Sequence, residues 1–243
     1  PQAKFSDFGL SDSILKVLDS IGYETPSPIQ EQCITHLLNG EDIIGQAQTG
    51  TGKTAAFALP LLDNIDLSLN APQLLILAPT RELAIQVSEA VQTYARGLKG
   101  FHVLPIYGGQ SYDVQLRPLK RGVHAVVGTP GRVMDHIKKG TLKLDNLKSF
   151  VLDEADEMLS QGFKEQIYKI FQFLDSDIQI GLFSATLPNE INLLTNKFMR
   201  NPIKILVKRE MLTLQGIGQF YVALDNDNQK YETLKDLFTT LII

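Results

Sequence analysis

The chain has 243 residues, of which 44% are hydrophobic and 21% charged, and this composition excludes intrinsic disorder and favours one large globular domain with short extensions. Its formal net charge of −4 at pH 7 excludes a chain-wide basic field, so any nucleic-acid site has to be local. A single cysteine, Cys33, excludes an internal disulfide, and because no leader and no apolar run of about 18 residues is present we expect a cytoplasmic protein without a membrane segment.

Seven short apolar runs alternate with segments of helical periodicity along the chain. The runs cover residues 42–45, 74–77, 103–106, 125–127, 150–152, 180–183 and 203–206. Their length and β-branched content indicate buried strands. The alternation predicts right-handed crossovers and therefore an α/β fold, with a doubly wound, mostly parallel sheet and helices on both faces. In such sheets ligands bind beyond the carboxyl ends of the strands, so residues that carry chemistry should follow the apolar runs.

A glycine-rich segment lies between the first predicted strand and a predicted helix. It consists of Ala47, Gln48, Thr49, Gly50, Thr51, Gly52, Lys53 and Thr54. Small residues let successive backbone N–H groups point into one concavity, and the helix start adds positive potential, so the segment indicates a phosphate-binding loop. The competing interpretation is a chance glycine turn that caps an ordinary helix.

Within this loop, Lys53 is expected to reach the β- and γ-phosphates of a nucleotide and the Thr54 hydroxyl to ligate Mg²⁺. Lys53 is also expected to be a solvated loop residue, which contributes little to stability. We therefore predict that Lys53→Ala abolishes nucleotide binding and leaves the fold intact.

Two carboxylates, Asp153 and Glu154, directly follow the predicted strand at residues 150–152. Phosphoryl transfer depends on positioning and charge neutralisation more than on covalent chemistry. Asp153 is therefore expected to hold Mg²⁺ through its water shell, and Glu154 to orient and deprotonate the attacking water. The competing interpretation is an acidic first turn favoured by the helix dipole.

Asp153, Glu154, Ala155 and Asp156 form the motif that names the DEAD-box RNA helicases, and nearly the whole chain resembles this family. Further motifs of the family follow in the same order: Phe5 upstream of residues 25–30, then residues 47–54, 79–84, 108–109, 129–132 and 184–186. The resemblance implies a RecA-like, ATP-binding first helicase domain over residues 1–207. Residues up to about the DEAD motif, for example 107–116, resemble the bacterial cold-shock helicases. From Gln161 onward, for example at residues 161–168 and 212–217, the chain resembles the eukaryotic translation-initiation helicases.

The resemblance also implies that Gln30 reads the edge of adenine and that Phe5 packs against the base, which favours ATP over GTP. From the residues alone, Ser27 and Gln30 form a capping box with Pro28 at the first helical position. Phe5 by itself would be interpreted as a core aromatic residue. The two roles of Gln30 are compatible in part.

Three loops after predicted strands are expected to bind RNA. Their residues are Pro79, Thr80 and Arg81; Gly108 and Gly109; and Thr129, Pro130, Gly131 and Arg132. Amide-rich helix starts with one arginine each would hold the sugar-phosphate backbone of a single strand without reading its bases. Contacts to 2′-hydroxyl groups would favour RNA over DNA. Without the resemblance, ordinary turn and cap chemistry is the better interpretation, and the glycine pair is the weakest signal.

Ser184 and Thr186 end the predicted strand at residues 180–183. The resemblance gives them a coupling role, in which their hydroxyl groups bond Asp156 and report the nucleotide state toward the RNA side. From sequence alone, a Ser/Thr cap before Pro188 explains them equally well.

Residues 208–243 are expected to form an interdomain linker, with a hinge at residues 208–228, and the truncated start of a second RecA-like domain that this chain lacks. In the family, that domain supplies the arginines that stabilise the transition state. We expect a monomer, and the resemblance allows protein cofactors. It leaves two functions open: RNA unwinding, or an ATP-gated RNA clamp for partner proteins with slow hydrolysis. A DNA-directed motor is disfavoured by the motifs.

Overall fold

The computed structural model describes residues 2–208 and 229–240. By compactness the chain divides into one unit of Pro1–Arg209 and a second of Glu210–Ile243. The predicted hinge, except for Lys208, lies outside the described residues. The fold of the first unit determines where the predicted site residues meet.

One seven-stranded sheet is formed in the described part of the chain, and each of its strands overlaps a predicted strand. The strands are β1 (Ile43–Gln46), β2 (Leu74–Leu77), β3 (Val103–Ile106), β4 (Ala125–Gly128), β5 (Ser149–Leu152), β6 (Gln179–Ser184) and β7 (Ile203–Leu206). Their order across the sheet is β3-β4-β2-β5-β6-β1-β7, and every pairing is parallel. The predicted doubly wound sheet is confirmed, and it is fully parallel.

Helices connect the strands, as parallel pairing requires. They are α1 (Asp12–Ser20), α2 (Pro28–Leu38), α3 (Lys53–Asp63), α4 (Arg81–Tyr94), α5 (Tyr112–Arg121), α6 (Pro130–Lys138), α7 (Ala155–Ser160), α8 (Lys164–Gln172), α9 (Asn189–Phe198) and, in the second unit, α10 (Lys230–Thr240). None of the helices in the described ranges is long and apolar enough to cross a bilayer.

The strands are buried on both faces, which explains why their sequences are continuously apolar. In β2, Leu74 and Ile76 pack into a core with α1–α4, whereas Leu75 and Leu77 pack into a second core with α6–α9. Successive side chains of a strand point to opposite faces, so one apolar run supplies both cores. The expected placement of helices on both faces is thereby confirmed.

Candidate functional site

The predicted site residues lie at one edge of the sheet. Residues 47–54 follow β1, residues 79–81 follow β2, residues 108–109 follow β3, residues 129–132 follow β4, Asp153 and Glu154 follow β5, and Ser184 ends β6. All pairings are parallel, so these six carboxyl ends face the same way. The parallel sheet thus gathers the residues that the sequence places after separate strands.

The loop between β1 and α3 is built for close approach to a ligand. Gly50 and Gly52 have φ angles of 86° and 84°, a left-handed conformation that glycine adopts without a steric cost. Thr51 Oγ1 donates to the carbonyl oxygen of Gln48 at 2.7 Å, and Ala47 N donates to Ser184 O at 3.1 Å. The turn therefore leads from a fixed strand end into the N-terminus of α3, as expected for a phosphate loop.

Lys53 lies between the two predicted carboxylates. Its Nζ is 2.9 Å from Asp153 Oδ1 and 3.3 Å from Glu154 Oε1. Thr49 Oγ1 donates to the same Glu154 oxygen at 3.2 Å. The tertiary structure thus joins the phosphate loop directly to the acidic strand end after β5.

The expectation that Lys53 is a solvated loop residue is wrong. Lys53 is only 6% exposed and Asp153 is 0% exposed. As the first residue of α3, Lys53 is held by the helix against the buried strand end. Removing one member of a buried ion pair leaves an uncompensated charge, so its replacement should also affect stability.

Asp153 has the features of a cation ligand. Burial raises the pKa of its carboxyl group, and the nearby Lys53 ammonium only partly opposes this effect. Apart from the ion pair with Lys53, Oδ1 and Oδ2 have no hydrogen-bond partner. A buried carboxylate with an unsatisfied oxygen is suited to hold a hydrated divalent cation.

A single buried carboxylate can be enough for a Mg²⁺ site. No group of three or more His, Cys, Asp or Glu residues that could hold a metal occurs within the described ranges. Mg²⁺ commonly uses only one or two carboxylates, together with water and substrate phosphates. The buried Asp153 carboxylate fits such an ion, whereas ligation by the Thr54 hydroxyl stays a prediction.

Glu154 has an unusual backbone conformation. Its φ is 53°, a left-handed value that is sterically costly for a residue with a side chain. Glu154 precedes α7, but its side chain makes no capping hydrogen bond there and contacts Lys53 and Thr49 instead. The Glu154 carboxylate therefore lies beside the phosphate loop and does not cap α7.

Gln30 makes both a capping bond and a bond to the phosphate loop. Its Oε1 accepts from Ser27 N at 2.8 Å, and its Nε2 donates to Gly52 O at 3.1 Å. A cavity of about 510 Å³ opens beside this contact, lined by Gly22, Tyr23, Glu24, Thr25, Ser27, Gln30 and residues 50–52. Sequence reasoning missed Tyr23, whose position just before the motif at residues 25–30 was the available signal.

Phe5 is a buried residue in this structure. It is 4% exposed and packs against Phe8, with ring centroids 6.2 Å apart, and against Tyr23, at 6.3 Å. Phe5 is not among the residues that line the cavity beside Gln30. Its contact with a base stays a prediction, and the structure connects Phe5 to that cavity through Tyr23.

The start of α4, after β2, combines a helix cap with an exposed arginine. Thr80 Oγ1 accepts from Leu83 N at 3.1 Å, so the capping interpretation of Thr80 is confirmed. Arg81 is exposed, and its guanidinium lies 4.9 Å from the centroid of the Tyr107 ring. The loops that follow β2 and β3 therefore meet at this contact.

Arg132, in the first turn of α6 after β4, is held by protein groups. Its Nη1 donates to Gln110 O at 2.8 Å and to Gln115 Oε1 at 3.1 Å, and its guanidinium lies 4.6 Å from the centroid of the Tyr112 ring. Thr129 precedes α6 without a side-chain capping bond. Sequence reasoning treated Arg132 as a ligand for RNA and missed these partners.

Asp156, Ser184 and Thr186 form one hydrogen-bonded cluster. Thr186 donates to Asp156 Oδ2 from its backbone N at 3.1 Å and from Oγ1 at 2.8 Å, and Asp156 N donates to Ser184 Oγ at 3.2 Å. Burial acts to raise the pKa of Asp156, but the hydrogen bonds from Thr186, Ser184 and Glu157 together outweigh it and hold this pKa below its usual value. The expected contact between the two motifs is therefore present.

The chain is similar to known helicases over most of its length. The profile of the DEAD/DEAH box helicase family matches residues 27–194. The ATP-dependent RNA helicase DeaD of Escherichia coli is 52% identical over 220 residues, which are 90% of this chain and 35% of that protein. Eukaryotic initiation factor 4A of Cryptosporidium parvum is 53% identical over 242 residues, which are 98% of this chain and 59% of that protein.

The chain is also similar in structure to a solved DEAD box protein. The DEAD box protein from Methanococcus jannaschii superposes with a TM-score of 0.82 at 43% identity, covering 98% of this chain and 63% of that one. The chain thus spans less than two thirds of each of these three proteins.

Proposed function

Because the chain belongs to the DEAD/DEAH box helicase family, as a first RecA-like domain, we propose that it binds Mg²⁺-ATP and the backbone of single-stranded RNA. Together with a second RecA-like domain, it would couple ATP hydrolysis to local unwinding of RNA duplexes. The observation that carries this proposal is the buried ion pair of Lys53 and Asp153, which joins the phosphate loop to Glu154. Nucleotide phosphates that enter here would meet the ammonium group, the loop amides and the carboxylates together.

The chain's own residues would divide the chemistry among them. The backbone N–H groups of residues 48–53 and the Lys53 ammonium would hold the phosphates of ATP. Thr54 and Asp153 would hold Mg²⁺, which when bound neutralises phosphate charge. Glu154 would orient a water molecule and accept its proton as the water attacks the γ-phosphorus and the bond to the ADP oxygen breaks. Gln30 and the cavity beside it would receive the adenine.

The cluster of Asp156, Ser184 and Thr186 would couple the nucleotide to the RNA side. Asp156 lies two residues after Glu154, and Ser184 O accepts a hydrogen bond from Ala47 N at the start of the phosphate loop. A shift of the acidic strand end on hydrolysis would therefore alter both ends of this cluster. The hydrogen bonds from Thr186 to the Asp156 carboxylate are the contacts that would transmit it.

RNA would bind at the loops that follow β2, β3 and β4. They lie side by side because these strands are neighbours in the order β3-β4-β2. Helix N-termini and backbone amides suit phosphate groups without reading bases. Since the chain has a net charge of −4, RNA binding would be local and would depend on Arg81, on Arg132 and on these amides.

Hydrolysis would need the second domain. A cationic group on the γ-phosphate is worth about 10³–10⁵ in rate. In our assignment Arg81 and Arg132 belong to the RNA side, so the second domain would supply that charge and close the RNA clamp. The chain alone should then bind nucleotide weakly, hydrolyse ATP very slowly, respond little to RNA and unwind no duplex.

Steady-state ATPase assays with and without single-stranded RNA test this proposal, on this chain and on a protein that joins it to the second domain. RNA-dependent turnover is expected only with both domains, supplied covalently or in trans. RNA-stimulated hydrolysis by this chain alone would show that the catalytic groups are complete within it. Slow turnover of the two-domain protein with tight ATP-dependent RNA binding would favour a clamp over an unwinding enzyme.

A further inference from the structure

Gln115 is a buried polar residue that has no role in the chemistry described so far. It is 0% exposed and lies on α5, between the loops that follow β3 and β4. Its Nε2 donates to Tyr107 O at 3.1 Å and to Gln110 Oε1 at 2.8 Å. Its Oε1 accepts from Arg132 Nη1 at 3.1 Å and meets His136 Nε2 at 2.7 Å. All four hydrogen-bonding positions of the amide are thus used.

The partners of Gln115 determine how its amide is oriented. An arginine can only donate and a carbonyl can only accept, so Oε1 faces Arg132 and Nε2 faces Tyr107 O. His136 Nε2 must then carry the proton, while its Nδ1 lies 2.7 Å from Thr141 Oγ1. Burial and the nearby Arg132 charge lower the pKa of His136 to about 4. His136 is therefore neutral at physiological pH and is a fixed donor to Gln115.

This network connects all three loops assigned to RNA. Tyr107 and Gln110 flank Gly108 and Gly109 in the loop after β3, and Arg132 lies in the first turn of α6, directly after the loop that follows β4. The Arg81 guanidinium lies 4.9 Å from the centroid of the Tyr107 ring, so the network also reaches the segment that follows β2. The buried amide therefore bonds groups from two crossovers directly, and the Tyr107 ring extends the network to Arg81 in a third.

We propose that Gln115 is a positioning residue for RNA binding, which holds the loop at residues 107–110 and the Arg132 side chain in the arrangement that contacts the RNA backbone. The proposal rests on the proposed RNA-binding function and adds to it a residue that does not touch RNA. Arg132 is then in part an internal tie between two loops, since its Nη1 is already bonded to Gln110 O and to Gln115.

The physical reason is preorganisation. A glycine pair is conformationally permissive, and Gly109 has a φ of 82°, so the loop at residues 107–110 has little local preference for one shape. Bonds to Tyr107 O on one side and Gln110 on the other fix both ends of the pair when the protein folds. The loop is then already ordered when RNA binds, so the entropic cost of ordering it does not reduce the affinity for RNA.

Substitution of two buried glutamines provides a matched comparison. Gln115→Met removes the network, and Gln73→Met is the control. Gln73 is also 0% exposed and makes three hydrogen bonds, with Asp66 N, Asp66 O and Leu69 O. It lies just before β2, at the opposite edge of the sheet from the RNA loops. Both variants lose buried hydrogen bonds, but only Gln115 contacts those loops.

Three quantities are measured on the two-domain protein. The first is its affinity for a labelled single-stranded RNA in the presence of a non-hydrolysable ATP analogue, and the second is its affinity for the analogue alone. The third is the rate of amide hydrogen exchange at Gly108 and Gly109. For Gln115→Met we expect RNA affinity to fall about tenfold, with faster exchange at both glycines and unchanged nucleotide affinity, because loop ordering now opposes binding. Gln73→Met should lose stability but keep the RNA affinity and the exchange rates.

The outcomes separate this proposal from the function on which it rests. Equal RNA affinities for Gln115→Met and Gln73→Met, or unchanged exchange at Gly108 and Gly109, would overturn the positioning role while the RNA-binding function stands. Failure of the unsubstituted two-domain protein to bind RNA would overturn both. If Gln115→Met does not fold, the same measurements are made on Gln115→Glu, with the same expected result. This variant keeps an acceptor for Arg132 but loses the two hydrogen bonds that Nε2 donates to Tyr107 O and Gln110 Oε1.

Discussion

Replacing Lys53 with methionine would test whether its ammonium group neutralises the buried carboxylate of Asp153. Methionine keeps most of the unbranched side chain and removes the charge that lies 2.9 Å from Asp153 Oδ1. Asp153 is fully buried, and an uncompensated buried charge typically costs about 3 kcal/mol or more. We expect the free energy of unfolding at neutral pH to fall by an amount of this order.

The loss should depend on pH with a definite sign. Burial raises the pKa of Asp153 above its ordinary value of 3.8 even with Lys53 present. A carboxyl group whose pKa is raised by folding contributes stability below its unfolded pKa, and this contribution is lost as the pH rises through the folded pKa. Without Lys53 the folded pKa rises further, so the stability difference between Lys53→Met and the unsubstituted protein should widen as the pH rises from the folded pKa of the unsubstituted protein to the higher folded pKa of the variant.

Chemical denaturation of the nucleotide-free protein at acidic and alkaline pH measures this difference. The control is the double variant Lys53→Met with Asp153→Asn, which removes both charges and should recover most of the stability at alkaline pH. Calorimetry should find Mg²⁺-ATP binding abolished in both variants. A Lys53→Met protein as stable as the unsubstituted one at alkaline pH would refute the reasoning, because the carboxylate would then need no internal partner.

Two further substitutions address the base and the loop. Glu154→Gln keeps the side-chain shape but removes the base, so the two-domain protein should bind ATP and RNA yet hardly turn over; a near-normal kcat would reassign Glu154 as a structural cap. Gly52→Ala should lower the free energy of unfolding by about 1 kcal/mol or more and also weaken ATP binding, because its Cβ would lie 2.5 Å from Gln30 Nε2. Gly9→Ala is the matched control, since Gly9 has a similar φ of 86° and no neighbour within 4 Å. It should lose stability and keep ATP affinity, and equal ATP affinities in the two glycine variants would contradict a role for the Gln30 contact.

Much of the fold was predictable because its signals are local. The run Leu74–Leu77 is apolar at every position, and a strand buried on both faces requires that pattern. The phosphate loop and the acidic strand end at Asp153 could also be located, since a parallel sheet places both at the carboxyl ends of strands. The side on which ligands bind therefore follows from strand order and direction, without knowledge of any side-chain contact.

Burial and pairing could not be predicted in the same way, because they depend on contacts between distant parts of the chain. Lys53 follows a glycine loop, which suggests that its side chain is exposed. It is instead buried, and it contacts Asp153 and Glu154. Glu154 is 101 residues away in the sequence. Gln115 is one polar residue on an amphipathic helix, and nothing beside it in the sequence marks it as buried. Its place in the network results from two crossovers that bring Tyr107 and Arg132 to the same amide.

The sequence by itself thus determined the sheet, its functional edge and the residue types that meet there, because periodicity and motif spacing are properties of short segments. Only the tertiary structure decided which charges are desolvated and which polar groups are already bonded within the protein. Arg132 shows the difference: its motif indicates a cation for RNA, whereas the contact of the start of α6 with α5 and the loop before α5 gives its Nη1 two internal acceptors. Desolvation and hydrogen-bond satisfaction depend on the whole surrounding volume, and that volume exists only after the crossovers have packed.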